Sequence, residues 1–318
     1  MLINYSLLAF YQDYIFLCIT SVMPILALQM KTAHYCFKTG VTAYDKEPTF
    51  KSNMLIYKDK YYIIGEEHKE YVQDKNADDD YYILTLAAIA KELKHRNSTT
   101  ARVLIAAGLP LYWVSEQKDS FRQYLLQNES VSFTFNDVNY YVELTDAYIF
   151  PQGFSAVADK LQNFGGVNML ADIGNGTMNI MYINDKRPIS SKCFTEKYGT
   201  FQCMLEVRNR LLQLGVSVND SVIERVIRTG TADIDEKYLN AIKETATEYV
   251  KGIFRKLREH EYDDRLMRLY VVGGGGCMIK HFGEYNPDRV IINSNICATA
   301  QGYEYLAEIK LRRNGGAV

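Results

Sequence analysis

Residues 170–181 read LADIGNGTMNIM: an apolar run carrying Asp172, two glycines one residue apart at Gly174 and Gly176, and a second apolar run. The two runs read as strands and the residues between them as a tight turn. Such a turn can aim consecutive backbone N–H groups at an anion, provided that side chains keep clear. Gly174 and Gly176 offer that clearance and access to positive φ, with Asn175 between them. Thr177 adds a hydroxyl, and Asp172 sets a carboxylate where a phosphate-bound magnesium and its waters would sit. An ordinary β-hairpin uses the same residue types, so this stretch alone leaves both readings open.

A second stretch shifts the balance. Residues 271–277 read VVGGGGC, a buried strand emptying into Gly273, Gly274, Gly275 and Gly276, with a helix start by Met278 to Phe282. Four residues without side chains let a flat ring or a phosphate lie directly against backbone. A crossover needing only flexibility is the alternative, but four glycines are entropically costly for that purpose. Two such loops in one chain favour a nucleotide site. Neither loop is a GxxxxGK[ST] phosphate loop, and neither fits the GxGxxG pattern of dinucleotide binding.

Composition sets the bounds. A chain of 318 residues with 47% hydrophobic and 23% charged residues can bury one large core or two medium ones. The net charge of -2 gives no built-in attraction to nucleic acid or to an anionic membrane, so any DNA it serves needs an adaptor. The six cysteines show no CxxC pair, and His34, His68, His95, His260 and His281 show no ligand spacing, so both types read as structural.

The amino-terminal stretch 14–30, YIFLCITSVMPILALQM, is uncharged and apolar. A signal peptide or membrane anchor is one reading, but no Lys or Arg precedes Lys31, and Pro24 and Gln29 interrupt the run. Two buried strands around a turn at Pro24 are the other, and favoured, reading.

Along the rest of the chain, strand-like pieces at Met54 to Tyr57 and Tyr61 to Ile64 flank a turn, and residues 81–96 form an amphipathic helix with acids before it and bases at its end. A strand from Arg102, a helix from Ser115 to Gln127, strands at Val131 to Phe135 and Tyr140 to Leu144, and a helix from Phe154 to Leu161 follow. Beyond Gly165-Gly166 come the strand pair around the quoted turn, a third strand at Ile189 to Phe194, and helices at Thr200 to Leu214, Asn219 to Arg228 and Asp235 to His260. The strand before the four glycines, another at Val290 to Ile292 and a last helix from Ala298 to Arg313 complete the pattern. The expectation is two α/β domains: residues 1–164 with the helix 298–318 packed back on them, and residues 165–297.

In ordered combination these motifs resemble the actin, Hsp70 and sugar-kinase superfamily, with the second phosphate loop at Asp172 to Ile183 and the adenosine-contacting loop at Val271 to Cys277. Within it, FKTGVT at 37–42, YYILTLAAIAKEL at 81–93, AAGLPL at 106–111 and FPQGF at 150–154 are similar to the ParM-type bacterial actins that segregate plasmids. The resemblance implies an α/β fold of two ribonuclease-H-like lobes around a nucleotide cleft. It implies ATP or GTP with Mg2+, and cytoplasmic head-to-tail filaments tied to plasmid DNA by a DNA-binding adaptor protein, with no direct contact to nucleic acid or membrane. It also implies that hydrolysis drives disassembly. By the same resemblance, Asp172 would orient magnesium-bound water, Gly174, Asn175, Gly176 and Thr177 would hold phosphate, and Gly273 to Gly276 would face the adenosine. Gln152 matches the residue that positions the attacking water, the alternative being a glutamine in a surface turn.

One motif departs from the pattern. The superfamily's first phosphate loop reads roughly Asp-x-Gly-x-x-x-x-Lys; Lys31 suits its lysine, but Pro24 stands seven places earlier and Ile25 to Leu28 contain no glycine. Branched side chains there would crowd a terminal phosphate and weaken hydrolysis. A degenerate, non-hydrolysing actin-like protein is therefore the alternative function, with a small-molecule kinase behind it because no acceptor-activating acid can be recognised.

Overall fold

The computed structural model describes residues 14–19, 29–65, 79–109 and 111–315. The chain divides into two compact units, Met1–Ala156 with Thr299–Val318, and Val157–Ala298. Unit 2 thus begins ahead of the Gly165-Gly166 pair.

In unit 1 the strands are β1 (Tyr14–Ile19), β2 (Gln29–Lys31), β3 (Cys36–Lys38), β4 (Val41–Tyr44), β5 (Met54–Tyr57) and β6 (Lys60–Ile64), followed by helix α1 (Asp80–His95), β7 (Thr100–Leu109), helix α2 (Leu111–Leu125), β8 (Ser130–Phe135) and β9 (Val138–Pro151). Seven of these strands form one sheet in the order β1-β7-β9-β8-β5-β6-β4, while β2 and β3 pair separately. The β1-β7-β9 run is parallel, and its buried strands read as unbroken apolar text, such as the segment Val103 to Ala107. Leu17 and Ile19 in β1 are fully buried, so residues 14–19 are a strand of the core. The proposed turn at Pro24 lies outside the described residues. No helix among the described residues is long and apolar enough to cross a membrane.

Hairpins in this unit are set by their turn residues. Lys58 and Asp59 both take positive φ (50° and 59°), as do Asn136 and Asp137 (48° and 62°). A two-residue loop with both positions left-handed is the type I′ geometry, whose twist matches that of paired strands. Accordingly Tyr57 pairs with Lys60 across the first turn and Phe135 with Val138 across the second.

Helix α1 is buried nearly all round rather than along a stripe: every residue from Tyr81 to Ala90 is buried, and Glu92 and Leu93 with them. The amphipathic reading underestimates this, because the helix packs against β1, β2, β4, β6 and β8.

Unit 2 opens in a 3-10 helix, Phe154–Asn163, where an α-helix is expected. Then come β10 (Val167–Ile173), β11 (Met178–Asn184), β12 (Arg187–Glu196), α3 (Thr200–Gln213), α4 (Asp220–Thr229), α5 (Glu236–Glu259), β13 (Arg268–Val272), α6 (Gly276–Phe282) and β14 (Val290–Ile292). The sheet order is β12-β11-β10-β13-β14, antiparallel on the β11 side and parallel from β10 to β14. Its core joins Met169, Ala171 and Ile173 of β10 to Val207 of α3, Ile223 of α4 and Ile253 of α5. Helix α4 is framed by Asn219, whose side chain accepts the Ser221 N–H, and by Gly230 at φ 78°.

The last helix, α7 (Ala298–Gly315), returns the chain to unit 1, where Ala300, Tyr303 and Ala307 bury against Leu104 and Ala106 of β7 and Tyr148 of β9. Gly302 permits the approach: a Cβ there would occupy the space of the Ser155 carbonyl.

Candidate nucleotide site

The two glycine loops leave from neighbouring parallel strands. Asp172 of β10 pairs in register with Val272 of β13, so both loops emerge at the carboxyl end of one sheet, where open α/β sheets bind ligands. They also touch. The Gly275 N–H donates to the Ile173 carbonyl at 2.9 Å.

The four glycines do four different things. Gly273 takes φ +86°, and a Cβ there would lie 2.5 Å from the Ile173 carbonyl oxygen and 2.7 Å from Asp172 Oδ1. At Gly275 a Cβ would overlap the Ile173 side chain, and at Gly276 it would press to 3.2 Å from Ile292 of β14. Gly274 alone faces open space. Packing between strands therefore accounts for three of the four, and Gly274 presents bare backbone to whatever lies beyond the loop.

The expected positive φ at Gly174 and Gly176 is found at neither, whereas Gly273 of the second loop does take it. The turn closes as a hairpin, Gly174 N–H donating to the Thr177 carbonyl at 2.8 Å. What fixes its plane is the start of α3. Thr200 N–H donates to the Gly174 carbonyl (3.1 Å) and Phe201 N–H to the Asn175 carbonyl (2.8 Å). Because a trans peptide is planar with N–H opposite C=O, these bonds turn the Asn175 and Gly176 N–H groups away from α3. Asn175 Oδ1 meanwhile accepts from the Thr200 hydroxyl at 3.0 Å. Its side chain thus braces the turn. Asp172 is half-buried beside Gly273. Among the described residues no group of three His, Cys, Asp or Glu converges to hold a metal.

The remaining candidates lie in unit 1. Gln152 follows the end of β9, its N–H donating to the Leu109 carbonyl (2.9 Å) and its Nε2 to the Gly108 carbonyl (3.3 Å). At 5% exposure it is no surface-turn residue. Gly108 makes room for it, since a Cβ there would overlap the Tyr303 side chain and crowd Gln152 Cγ. Lys31 ends β2, opposite Cys36. The turn that follows is held by Glu92 of α1, 1% exposed, whose Oε1 accepts from the Thr32 hydroxyl (2.5 Å) and the His34 N–H (3.1 Å), while Oε2 lies 2.8 Å from His34 Nδ1.

Residues 31–154 match the N-terminal domain of the actin like proteins, and residues 170–284 match the C-terminal domain of the archaeal MreB-like actin homologues. Together the two matches span about three quarters of the sequence. The chain belongs to the actin-like family. No curated protein sequence matches it. Three solved structures carry the comparison further. The archaeal actin homolog Ta0583 is 18% identical with a TM-score of 0.70, over 92% of this chain and 99% of that one. Bacillus thuringiensis ParM with ATP is 12% identical with a TM-score of 0.70, over 94% and 100%. The 15-stranded ParM filament from Clostridium botulinum is 15% identical with a TM-score of 0.69, over 93% and 99%. At these identities the likeness establishes the α/β, two-domain actin-like fold.

Two features of this actin-like chain escaped sequence reading. The Gly199-Thr200 start of α3 has a local signal in Gln202, whose side-chain Oε1 reaches back to accept the Gly199 N–H. Glu92 has another: an acid in the otherwise apolar text of α1. Neither signal names its distant partner.

Proposed function

We propose that this actin-like protein binds ATP or GTP with Mg2+ and assembles head to tail into filaments that move plasmid DNA through a DNA-binding adaptor, as a cytoplasmic system in which hydrolysis drives disassembly. The observation that carries the reading is the meeting of two glycine loops at the carboxyl ends of β10 and β13, with Asp172 beside them. Gly274 tests the fit: it is the loop position where a Cβ would project into open space, leaving backbone for a nucleoside to rest on. The turn at Gly174 to Thr177 offers amides held away from α3 for phosphate.

Bound magnesium would supply charge neutralisation on the phosphates, and Asp172 would orient its waters. Lys31 would add a positive charge toward phosphate, and Gln152, held by Gly108 and Leu109, would position the attacking water. Bacillus thuringiensis ParM with ATP and the Clostridium botulinum ParM filament support nucleotide binding and self-assembly as the reading for this chain. Heterologous head-to-tail contacts propagate without closing, as a polar filament requires.

The decisive experiment is light scattering of the purified chain with and without Mg-ATP or Mg-GTP. Nucleotide-dependent polymer is the expected result, and its absence at every concentration would refute the proposal. The segment from Pro24 to Leu28, which has no glycine, favours a second reading in which nucleotide is bound without turnover. Phosphate release at a rate coupled to polymer loss would eliminate that one.

A further inference from the structure

We infer that Tyr249, Gly199 and Thr200 are positioning residues that set the phosphate-facing amides of the Gly174 to Thr177 turn. The inference rests on the nucleotide reading of that turn, and concerns what holds it in a binding-competent plane.

Three elements converge on one short connection. Tyr249 lies in the middle of α5, 4% exposed, and its hydroxyl donates to the Gly199 carbonyl at 2.8 Å. Gly199 N–H donates to Gln202 Oε1 at 3.0 Å, closing the cap of α3. Gly199 is extended, so its φ does not demand glycine. Space does: a Cβ at 199 would overlap the Asn175 carbonyl and approach Gly176. The turn and the helix start are therefore in backbone contact, and the N–H groups of Thr200 and Phe201 reach the carbonyls of Gly174 and Asn175 only because nothing stands between them.

This arrangement has a consequence for anion binding. The first amides of a helix ordinarily point at a ligand or a capping side chain. Here two of them are spent on the turn's carbonyls, which fixes the opposite edge of the same peptides, the Asn175 and Gly176 N–H groups, in one plane. Asn175 Oδ1, bonded to the Thr200 hydroxyl, locks the side chain between them. Removing the Tyr249 hydroxyl leaves the Gly199 carbonyl with only the long 3.5 Å bond from the Cys203 N–H and loosens the connection; adding a methyl at Gly199 pushes the turn off α3. Both changes loosen the amides while leaving Gly273 to Gly276, which follow β13, as they are.

The readout is the ratio of affinities for Mg-ATP and for adenosine, which share the base site and differ in the phosphates. Tyr249→Phe and Gly199→Ala are expected to weaken Mg-ATP at least tenfold and adenosine less than twofold. A matched control is Tyr182→Phe, which deletes a tyrosine hydroxyl bonded to the His260 carbonyl in the same unit and should leave the ratio unchanged. A purely structural role would lower thermal stability in all three variants and move both ligands together. Amide hydrogen exchange at Thr200 and Phe201 in the nucleotide-free protein gives a second, ligand-independent measure: protection should fall in Tyr249→Phe and Gly199→Ala, and hold in Tyr182→Phe. Should the wild type bind neither ligand, the nucleotide reading fails and exchange alone decides the brace. Folded Tyr249→Phe and Gly199→Ala proteins with wild-type protection and a wild-type affinity ratio would overturn the inference.

Discussion

The N–H of Gly275 donates to the carbonyl of Ile173 at 2.9 Å, and the volume that a Cβ at 275 would fill is already taken by the Ile173 side chain. One residue earlier, Gly274 has nothing within 4 Å of the same virtual atom. Adjacent glycines in one loop thus answer to different constraints. Gly275→Ala should destabilise the protein by about 2 kcal/mol through overpacking. Gly274→Ala should leave the melting temperature within about a degree while weakening nucleotide, because its methyl enters the open face. Thermal melts beside equilibrium binding measure both.

Glu92 is a buried acid that holds the turn after Lys31 through Thr32 and His34. Glu92→Ala removes the acceptor for two donors and should cost about 3 kcal/mol in denaturant unfolding. Glu92→Gln keeps an oxygen for Thr32 and the His34 N–H, and should cost about 1 kcal/mol. Equal losses for the two variants would mean that the negative charge and the Oε2 contact to His34 Nδ1, and not side-chain volume or the bonds to Oε1, are what the position supplies.

Gln152 is fixed by its own amide to the Gly108 carbonyl. If it positions the attacking water, Gln152→Ala should lower the rate of phosphate release about 100-fold while Mg-ATP affinity stays within about twofold. A parallel loss of affinity would make it a packing residue beside Tyr303.

Thiol chemistry separates the cysteines. Cys203 is fully buried in the unit 2 core, and burial pushes its thiol up to about 12, so it should resist alkylation until the protein unfolds. Cys277, half-buried directly after the glycine loop, should react in the native protein and be shielded by Mg-ATP. Peptide mass spectrometry after timed alkylation reads both rates, and modification of Cys203 under native conditions would contradict the packing around it.

Much of this was legible beforehand. The strand pair at 167–184, the strand feeding four glycines and the long helix α5 follow from apolar periodicity and turn chemistry, which act over a few residues. The two hairpins of unit 1 are legible as strand pairs, but sequence leaves gaps of three residues (58–60) and four (136–139) between their strands. The left-handed pairs Lys58-Asp59 and Asn136-Asp137 that close them as two-residue turns come from the structure. Gln152 could be picked out by its place after Phe150-Pro151, but its burial could not, because that depends on Gly108 and Tyr303, distant in sequence. Glycine content also overstates the open backbone: strand contacts claim Gly273, Gly275 and Gly276, and Gly274 alone of the four faces open space.

The chain's own text determined which neighbouring segments pair, which turn, and where an acid and two glycine loops fall, since these depend on local backbone preference and on the alternation of apolar residues. That their order is actin-like rests on resemblance to a family. Only the tertiary structure decided that β10 and β13 lie side by side, that α3 braces the Gly174 to Thr177 turn, and that Glu92 reaches Thr32. Those contacts join residues from about 25 to 100 positions apart. Their geometry is set by how strands and helices pack, a property of the folded whole that no short stretch of sequence contains.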